Sequence, residues 1–587
     1  MEKPIGGRTF LFLGAVFLFI GFFLLCRTGF LQVVKGRGFA ERSENNRLRS
    51  VSLAPERGFV YDRNGEALAW NTPAFYLVMD KKVFIDNDLS AKLEEFLKFL
   101  GKDNIQGIIK NGAAKGEDLI IGTYYDWSKV NDVYQQWSFL PLRIESVSLR
   151  AYKETNGLAH VLGYMGYSSS ANNDDVVGKA GVEKSYENIL RGEKGVKITE
   201  VDSLNNIKSE SLQKYPAAGE NIKLSVDYRV QKKLYEIFSD LSKERGFQGA
   251  AGVILDIETG EILAIVSYPE YDSLILSRGG PEKTIQEFIN NPQKPFLNRA
   301  ISGLYAPGSV VKPFLASAAL NEGIITPDKK IFSAGSISIP NPYLPGKESV
   351  FRDWKAHGWV DMREALAVSS DVYFYSIGGG YGDVAGLGIK KIEEYMKIFG
   401  FGVKTGINLE GEKEGLIPSP ELKKKSFSDS DAVWRIGDTY NASIGQGDFQ
   451  VTSLQMAVAT AVLANGGYII KPQILLGEGD KKTGTFVDVP QKYFDVVKEG
   501  MRMCAMTGTA QALGGLSVEA VAKTGTAELG SGEFVNSWVI SFWPYEKPRY
   551  AASVVLERGK ASNLVGGVYA LFQLLSWMQA STPEYIF

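Results

Sequence analysis

Apolar and polar positions along this chain fall into zones of different period. The first is the run TFLFLGAVFLFIGFFLLC from Thr9 to Cys26, uncharged throughout and bounded by Arg8 and Arg27. A run of that length predicts a helix of roughly 27 Å, close to the ~30 Å hydrocarbon core of a bilayer, with the arginines able to snorkel to either interface. Up to about residue 220, short β-like runs alternate with helical segments such as LSAKLEEFLKFLG, and Asp62-Arg63-Asn64-Gly65 has the composition of a hairpin turn. From about residue 222 the texture changes. AAGVILDIETGEILAIVSYPE is two apolar β runs joined at Glu258-Thr259-Gly260. Helical periodicity then occupies KPFLASAALNEG, IKKIEEYMKIFG and SLQMAVATAVLANGG. EAVAKTGTAE, NSWVISFWP and RYAASVVLE supply three more strands near the end. Strands at both ends with helices between predict an α+β domain whose first and last strands share one antiparallel sheet. The expected divisions are a short tail over 1–8, a membrane helix over 9–26, a scaffold region over 27–221 and a chemistry-bearing domain over 222–587.

Composition narrows the picture. At 587 residues more than one globular unit is expected, and a net charge of -2 gives no bulk affinity for nucleic acid. The two cysteines, Cys26 and Cys504, are far apart, and His160 and His357 are the only histidines. Neither a disulfide framework nor a thiolate or histidine metal site is predicted. The apolar N-terminal run lacks the small residues of a signal-peptidase site, because Cys-Arg-Thr-Gly-Phe-Leu follows it. Leu25 stands where a lipidated Cys26 would want a small neighbour, and a buried soluble helix would carry some polar relief. An uncleaved anchor is the expectation. Lys3 and Arg8 precede it while Arg27, Lys35, Arg37, Arg42, Arg47 and Arg49 follow. Charge counting alone would leave the C-terminal side in the cytoplasm, yet long domains cross despite such charge, so chemistry has to decide orientation.

Three short motifs carry that chemistry. Ser309 and Lys312 stand three apart just before Pro313, which fits only at a helix start, so both belong to a first turn with free N–H groups. A lysine there can approach the hydroxyl and take its proton. Ser211 and Lys214 have the same spacing in a polar run before Pro216, with no buried helix behind them. Ser369-Ser370-Asp371 precedes the aromatic run Val372 to Tyr375. Either serine can be a helix N-cap; alternatively, Ser369 relays a proton between Lys312 and a leaving group while Asp371 orients Lys312 or substrate. Lys-Thr-Gly occurs three times, at 404–406, 482–484 and 523–525. The first follows a helix end, the second lies in a charged loop, and the third lies on a predicted strand. There Lys523 offers charge, Thr524 can bond a carboxylate, and Gly525 lets a substrate backbone approach. The N–H of Thr526, with that of Ser309, can form an oxyanion hole.

This ordered trio is the one shared by β-lactamases and penicillin-binding proteins. With it, ERSENNRLR, PERGFVYDRNG, LRAYKETNGLAHVLGYMG, GKAGVEKSYENILRGEKG, YAPGSVVKPF, FGFGVKTGINLEGEKEGLIP and SIGQGDFQVTSLQMA resemble class B penicillin-binding proteins along almost the whole chain. FRDWKAHGWVDMREALAVSSDVYFY most resembles the elongation branch. The resemblance implies a pedestal and a transpeptidase domain with a five-stranded antiparallel sheet packed between helices, held outside the cytoplasmic (inner) membrane by a single span. It implies nucleophile Ser309, general base Lys312, a relay through Ser369 and Asp371, and Lys523 to Thr526 gripping the substrate. Stem peptides of peptidoglycan, β-lactam antibiotics and a RodA- or FtsW-type glycosyltransferase are the implied partners, without metal or cofactor. His160 falls in a pedestal motif and reads as structural; His357 lies near the site as a core or supporting group. Asp371 stands where many relatives carry Asn, and a carboxylate beside Lys312 favours the charged amine. A septal enzyme, a β-lactamase or carboxypeptidase, and a sensor or scaffold are the competing readings.

Overall fold

The computed structural model describes residues 7–37, 48–79, 87–100, 119–153, 156–168, 176–201, 207–341, 344–477, 485–530, 532–563 and 565–586. The signature segment Glu41 to Asn46 lies outside them. Two compact units emerge, Met1–Gly58 with Arg191–Glu220, and Phe59–Leu190 with Asn221–Phe587.

In the first unit, α1 (Gly7–Gly29) carries no charge between Arg8 and Arg27, and the apolar helical stretch from Phe10 to Val34 is unburied and long enough to cross a membrane. The helix therefore continues past Cys26, where the sequence placed its end. Arg27 is a single charge with apolar residues on both sides and a long stem, so it does not stop the helix. The strands Leu48–Leu53, Gly195–Val201 and Ile207–Lys214 form an antiparallel sheet in the same unit.

In the second unit, a five-stranded sheet contains Val60–Tyr61, Ala67–Met79, Leu119–Tyr124, Leu142–Tyr152 and Ile222–Lys223. The predicted hairpin turn is present. Asp62 Oδ1 accepts the N–H groups of Asn64 and Glu66, and Asn64 donates onward to Asp227 (2.9 Å). Asp227 caps α2 (Tyr228–Arg245). Gln231 on α2 bonds the backbone of both Gly157 and Ile265, and Glu270 accepts the N–H groups of Gly157 and Ala159. Desolvation pushes Glu270 up to about 8. His160, edge-on to Tyr271 in this junction, is drawn down to about 4 by burial and acts as packing.

The main sheet is five-stranded and antiparallel, as expected. Its strands are β1 (Gly249–Asp256), β2 (Ile262–Tyr268), β3 (Val521–Leu529), β4 (Phe534–Trp543) and β5 (Tyr550–Lys560), ordered β2-β1-β5-β4-β3. First and last segments meet where β1 pairs with β5. Every residue of β1 is buried because both faces are covered. Val253, Leu255, Ile540 and Val555 point into one core with α3 (Lys312–Asn321) and α6 (Ser453–Asn465). Ile254, Val539 and Val554 point into the other with α2 and α8 (Gly567–Ser581). The remaining elements used below are α4 (Met362–Val368), α5 (Asp371–Gly379) and α7 (Gln491–Met506). β3 is left as an edge, and the site lies along it.

Candidate active site

Gly308–Val311 form a 3₁₀ turn that runs directly into α3. In an α-helix the Ser309 carbonyl would be bonded by the N–H of residue 313, but that residue is proline. It takes the N–H of Lys312 instead. Side chains three apart eclipse in such a turn, so Ser309 and Lys312 lie on one side.

Ser369 ends α4 in the left-handed region, φ 59°, and Ser370 caps α5 by accepting the Tyr373 N–H. A non-glycine residue there is strained and persists only when its surroundings hold it. Here the strain aims Ser369 inward. Its carbonyl lies 2.8 Å from Lys312 Nζ, and its hydroxyl lies 3.3 Å from Lys312 Nζ and 2.8 Å from Lys523 Nζ. Asp371, first residue of α5, places Oδ1 2.6 Å from Lys312 Nζ. Lys312 is fully buried, and its Nζ lies within hydrogen-bond distance of three acceptors, the Ser369 carbonyl and hydroxyl and Asp371 Oδ1. Among the described residues Lys523, also buried, donates to Ser369 Oγ and to the Thr524 carbonyl (2.9 Å), two acceptors for the two N–H bonds of a neutral amine. Burial draws it down to about 7; Cys504 and Asp371 pull the other way, and the nearby Lys312 charge adds to the fall.

Two N–H bonds occupy the lone pairs of the Ser369 hydroxyl, so its own proton is available to donate. Ser369 lines a cavity of about 1150 Å³ together with Ser309, Asp371, Thr524, Gly525 and Thr526. The Ser309 hydroxyl has no hydrogen-bond partner among the described residues. The cavity thus offers a free hydroxyl, two buried amines linked through a second hydroxyl, and the edge of a sheet.

The structure reassigns one role expected from sequence. A Cβ on Gly525 would lie 2.8 Å from the Pro307 carbonyl and 3.0 Å from Val310. Gly308, at φ +58°, would likewise place a Cβ 2.9 Å from the Thr526 carbonyl. The space cleared by Gly525 is filled by the Ser309 turn, so these glycines seat the turn on β3 instead of admitting a substrate backbone.

The three Lys-Thr-Gly copies separate. Thr405 and Gly406 are tied to the Glu412 carboxylate in a turn. Lys482, Thr483 and Gly484 lie outside the described residues. Only the copy at 523 among the described residues lines the cavity. Ser211 and Lys214 sit on an exposed strand, with Lys214 paired to Glu193. His357 is buried edge-on against Trp354, 3.5 Å from Asp353 Oδ1. Asp353 in turn accepts Ser370 Oγ and the Val372 N–H, which fixes the start of α5. Sequence reasoning missed Thr509, whose hydroxyl lies 2.6 Å from that of Thr524. An isolated threonine between glycine and alanine carries no spacing signal.

Residues 250–570 match the family described as penicillin binding protein transpeptidase domain, and 52–224 match the penicillin-binding protein dimerisation domain. The peptidoglycan D,D-transpeptidase MrdA of Acinetobacter baumannii is 33% identical, over 95% of this chain and 86% of its own length. A solved complex between Penicillin-Binding Protein (PBP2) and MreC from Helicobacter pylori superposes with a TM-score of 0.77 at 28% identity, covering 91% of this chain and all of that one. A structure titled for polymerization and crosslinking by a peptidoglycan synthase complex has a TM-score of 0.70 at 25% identity, covering 97% and 98%. A matched domain that spans the cavity, together with a relative aligned almost end to end, means that the chain belongs to the penicillin-binding protein transpeptidase family.

Proposed function

We propose that this chain is a peptidoglycan D,D-transpeptidase in which Ser309 carries the acyl group. The observation behind it is the convergence of Ser309, Lys312, Ser369 and Lys523 at the edge of β3. Ser309 Oγ attacks the penultimate D-alanine carbonyl of a stem pentapeptide, giving its proton to Lys312. The oxyanion lies between the N–H groups of Ser309 and Thr526. The C–N bond then breaks, and the terminal D-alanine amine takes a proton from Ser369, which is resupplied by the lysine pair. An amine of a neighbouring stem attacks the ester, the new C–N bond forms, and the proton it sheds returns to Ser309 Oγ as the C–O bond breaks. The substrate carboxylate binds Thr524, held in place by Thr509. β-Lactams acylate the same serine.

The chain is anchored by α1 in the cytoplasmic (inner) membrane with its second unit outside, where peptidoglycan is assembled. A RodA- or FtsW-type glycosyltransferase supplies the glycan; the likeness to a solved synthase complex supports this. Likeness to MrdA relatives and to the MreC-bound neighbour favours wall elongation over septation. The full chain, given a pentapeptide-bearing glycan polymer, should release one D-alanine per cross-link formed. Release without cross-links would mean that water resolves the ester and would favour the carboxypeptidase reading.

Two further outcomes are expected. Gly525→Ala forces the Ser309 turn off β3, and a displacement near 1 Å at reacting atoms costs roughly 10²-fold. Penicillin acylation kinetics will show that loss; an unchanged rate would mean that the turn does not depend on this seat. Lys404→Ala and Lys482→Ala should acylate at the parental rate while Lys523→Ala falls by roughly 10²-fold or more. Equal losses in all three would contradict the choice of copy.

A further inference from the structure

Thr524, Thr526 and Glu528 alternate along β3 and therefore share one face, and all three line the cavity that contains Ser309. The cavity wall carries three acids among the described residues. Asp371 is paired with Lys312, and Asp353 is held by Ser370 and Val372. Glu528 is exposed and makes no hydrogen bond or ion pair among the described residues. Its charge reaches Tyr375, on another wall, whose hydroxyl is raised by burial and then by Asp371, Asp353 and Glu528.

The direction of the substrate follows from the proposed function, on which this inference rests. With its terminal carboxylate at Thr524 and its scissile carbonyl at the Thr526 N–H, the donor peptide runs antiparallel to β3. Residues before the scissile bond then pass beside Ala527 and Glu528, within diagonal reach of long side chains. Glu528 lies about 7 Å along the strand from Thr526. The amine that attacks the ester has to come within about 3.5 Å of its carbon, so it is not the amine held at Glu528. An acceptor stem must carry a free amine on a side chain, because its main-chain amines are already acylated. Donor and acceptor are copies of one precursor, so the donor carries that amine too.

We infer that Glu528 binds the side-chain ammonium of the donor stem peptide and so selects donors that carry a cationic side chain upstream of the scissile bond. An exposed charge pair contributes modestly and is screened by salt. The test compares acylation of Ser309 by D-Ala-D-Ala peptides whose preceding residue is lysine or uncharged norleucine, using the full chain. Wild type should favour lysine by about two- to fivefold in kcat/KM at low ionic strength, with the ratio approaching one in high salt. Glu528→Gln should bring the ratio to about one, and Glu528→Lys should favour a glutamate-bearing peptide; melting curves confirm that both variants fold. Equal rates for both peptides in wild type, or a preference that survives in Glu528→Gln, would overturn the inference. Failure of labelled penicillin to acylate Ser309 would instead remove the transpeptidase reading beneath it.

Discussion

Replacing Lys312 with methionine is expected to slow acylation of Ser309 by about 10³-fold, in the range typical for loss of a general base. Methionine keeps the length and the apolar stem of a residue that is fully buried. The change removes the acceptor for the Ser309 proton and one of the two donors to Ser369, while Asp371 keeps access to water through the cavity. Removing one partner of a buried pair leaves the other charge uncompensated and destabilises the fold, less so here because Asp371 is partly exposed. A lowered melting temperature in a chain that still folds, together with the collapsed rate of penicillin acylation below that melting temperature, is the expected pair of results. A rate within a few-fold of the parent would show that Lys312 is not the proton acceptor.

The second large effect is on pH. Lys523 sits at about 7, so below that pH it holds a third proton for which the described residues offer no acceptor. Acylation should therefore rise about tenfold per unit as pH climbs toward 7 and level off above it. Asp371 is among the groups that hold Lys523 up, so Asp371→Asn should move the rising limb to lower pH. Stability has a definite sign as well. The folded value of Lys523 lies below its ordinary 10.5, so between about 7 and 10.5 the unfolded chain binds a proton that the folded chain does not. Stability from this group increases with pH across that window and is lost on acidification toward 7. The melting temperature of wild type relative to Lys523→Met should climb from pH 7 to pH 10. A flat difference, or a falling one, would mean that Lys523 stays charged in the fold.

Much of this was readable from the residues because the signals were local. The β1–β2 hairpin, β4 and β5 announce themselves as apolar runs, since strands covered on both faces need no polar alternation. Pro313 pinned the start of α3 and with it the Ser309–Lys312 pair. Other features depend on contacts that leave no periodic trace. The left-handed turn at Ser369 is held by Lys312 and Lys523, residues 57 and 154 positions away. Gly525 looks like a substrate clearance until the Ser309 turn is seen to occupy the space. The junction that gathers residues 59–190 with 221–587 is built from single polar side chains, Asp62, Asn64, Asp227, Gln231 and Glu270. No sequence period marks such a set. The end of α1 was missed because a single arginine looks like a boundary in a list of charges, whereas a helix carries it without interruption.

The central claim is that the free hydroxyl at the edge of β3 is the acylated group. Intact-mass analysis and peptide mapping after exposure to benzylpenicillin test it directly. One adduct of penicillin mass on the peptide that contains Ser309, absent in Ser309→Ala, is the predicted result. An adduct on any other residue, or equal labelling of the alanine variant, would contradict it.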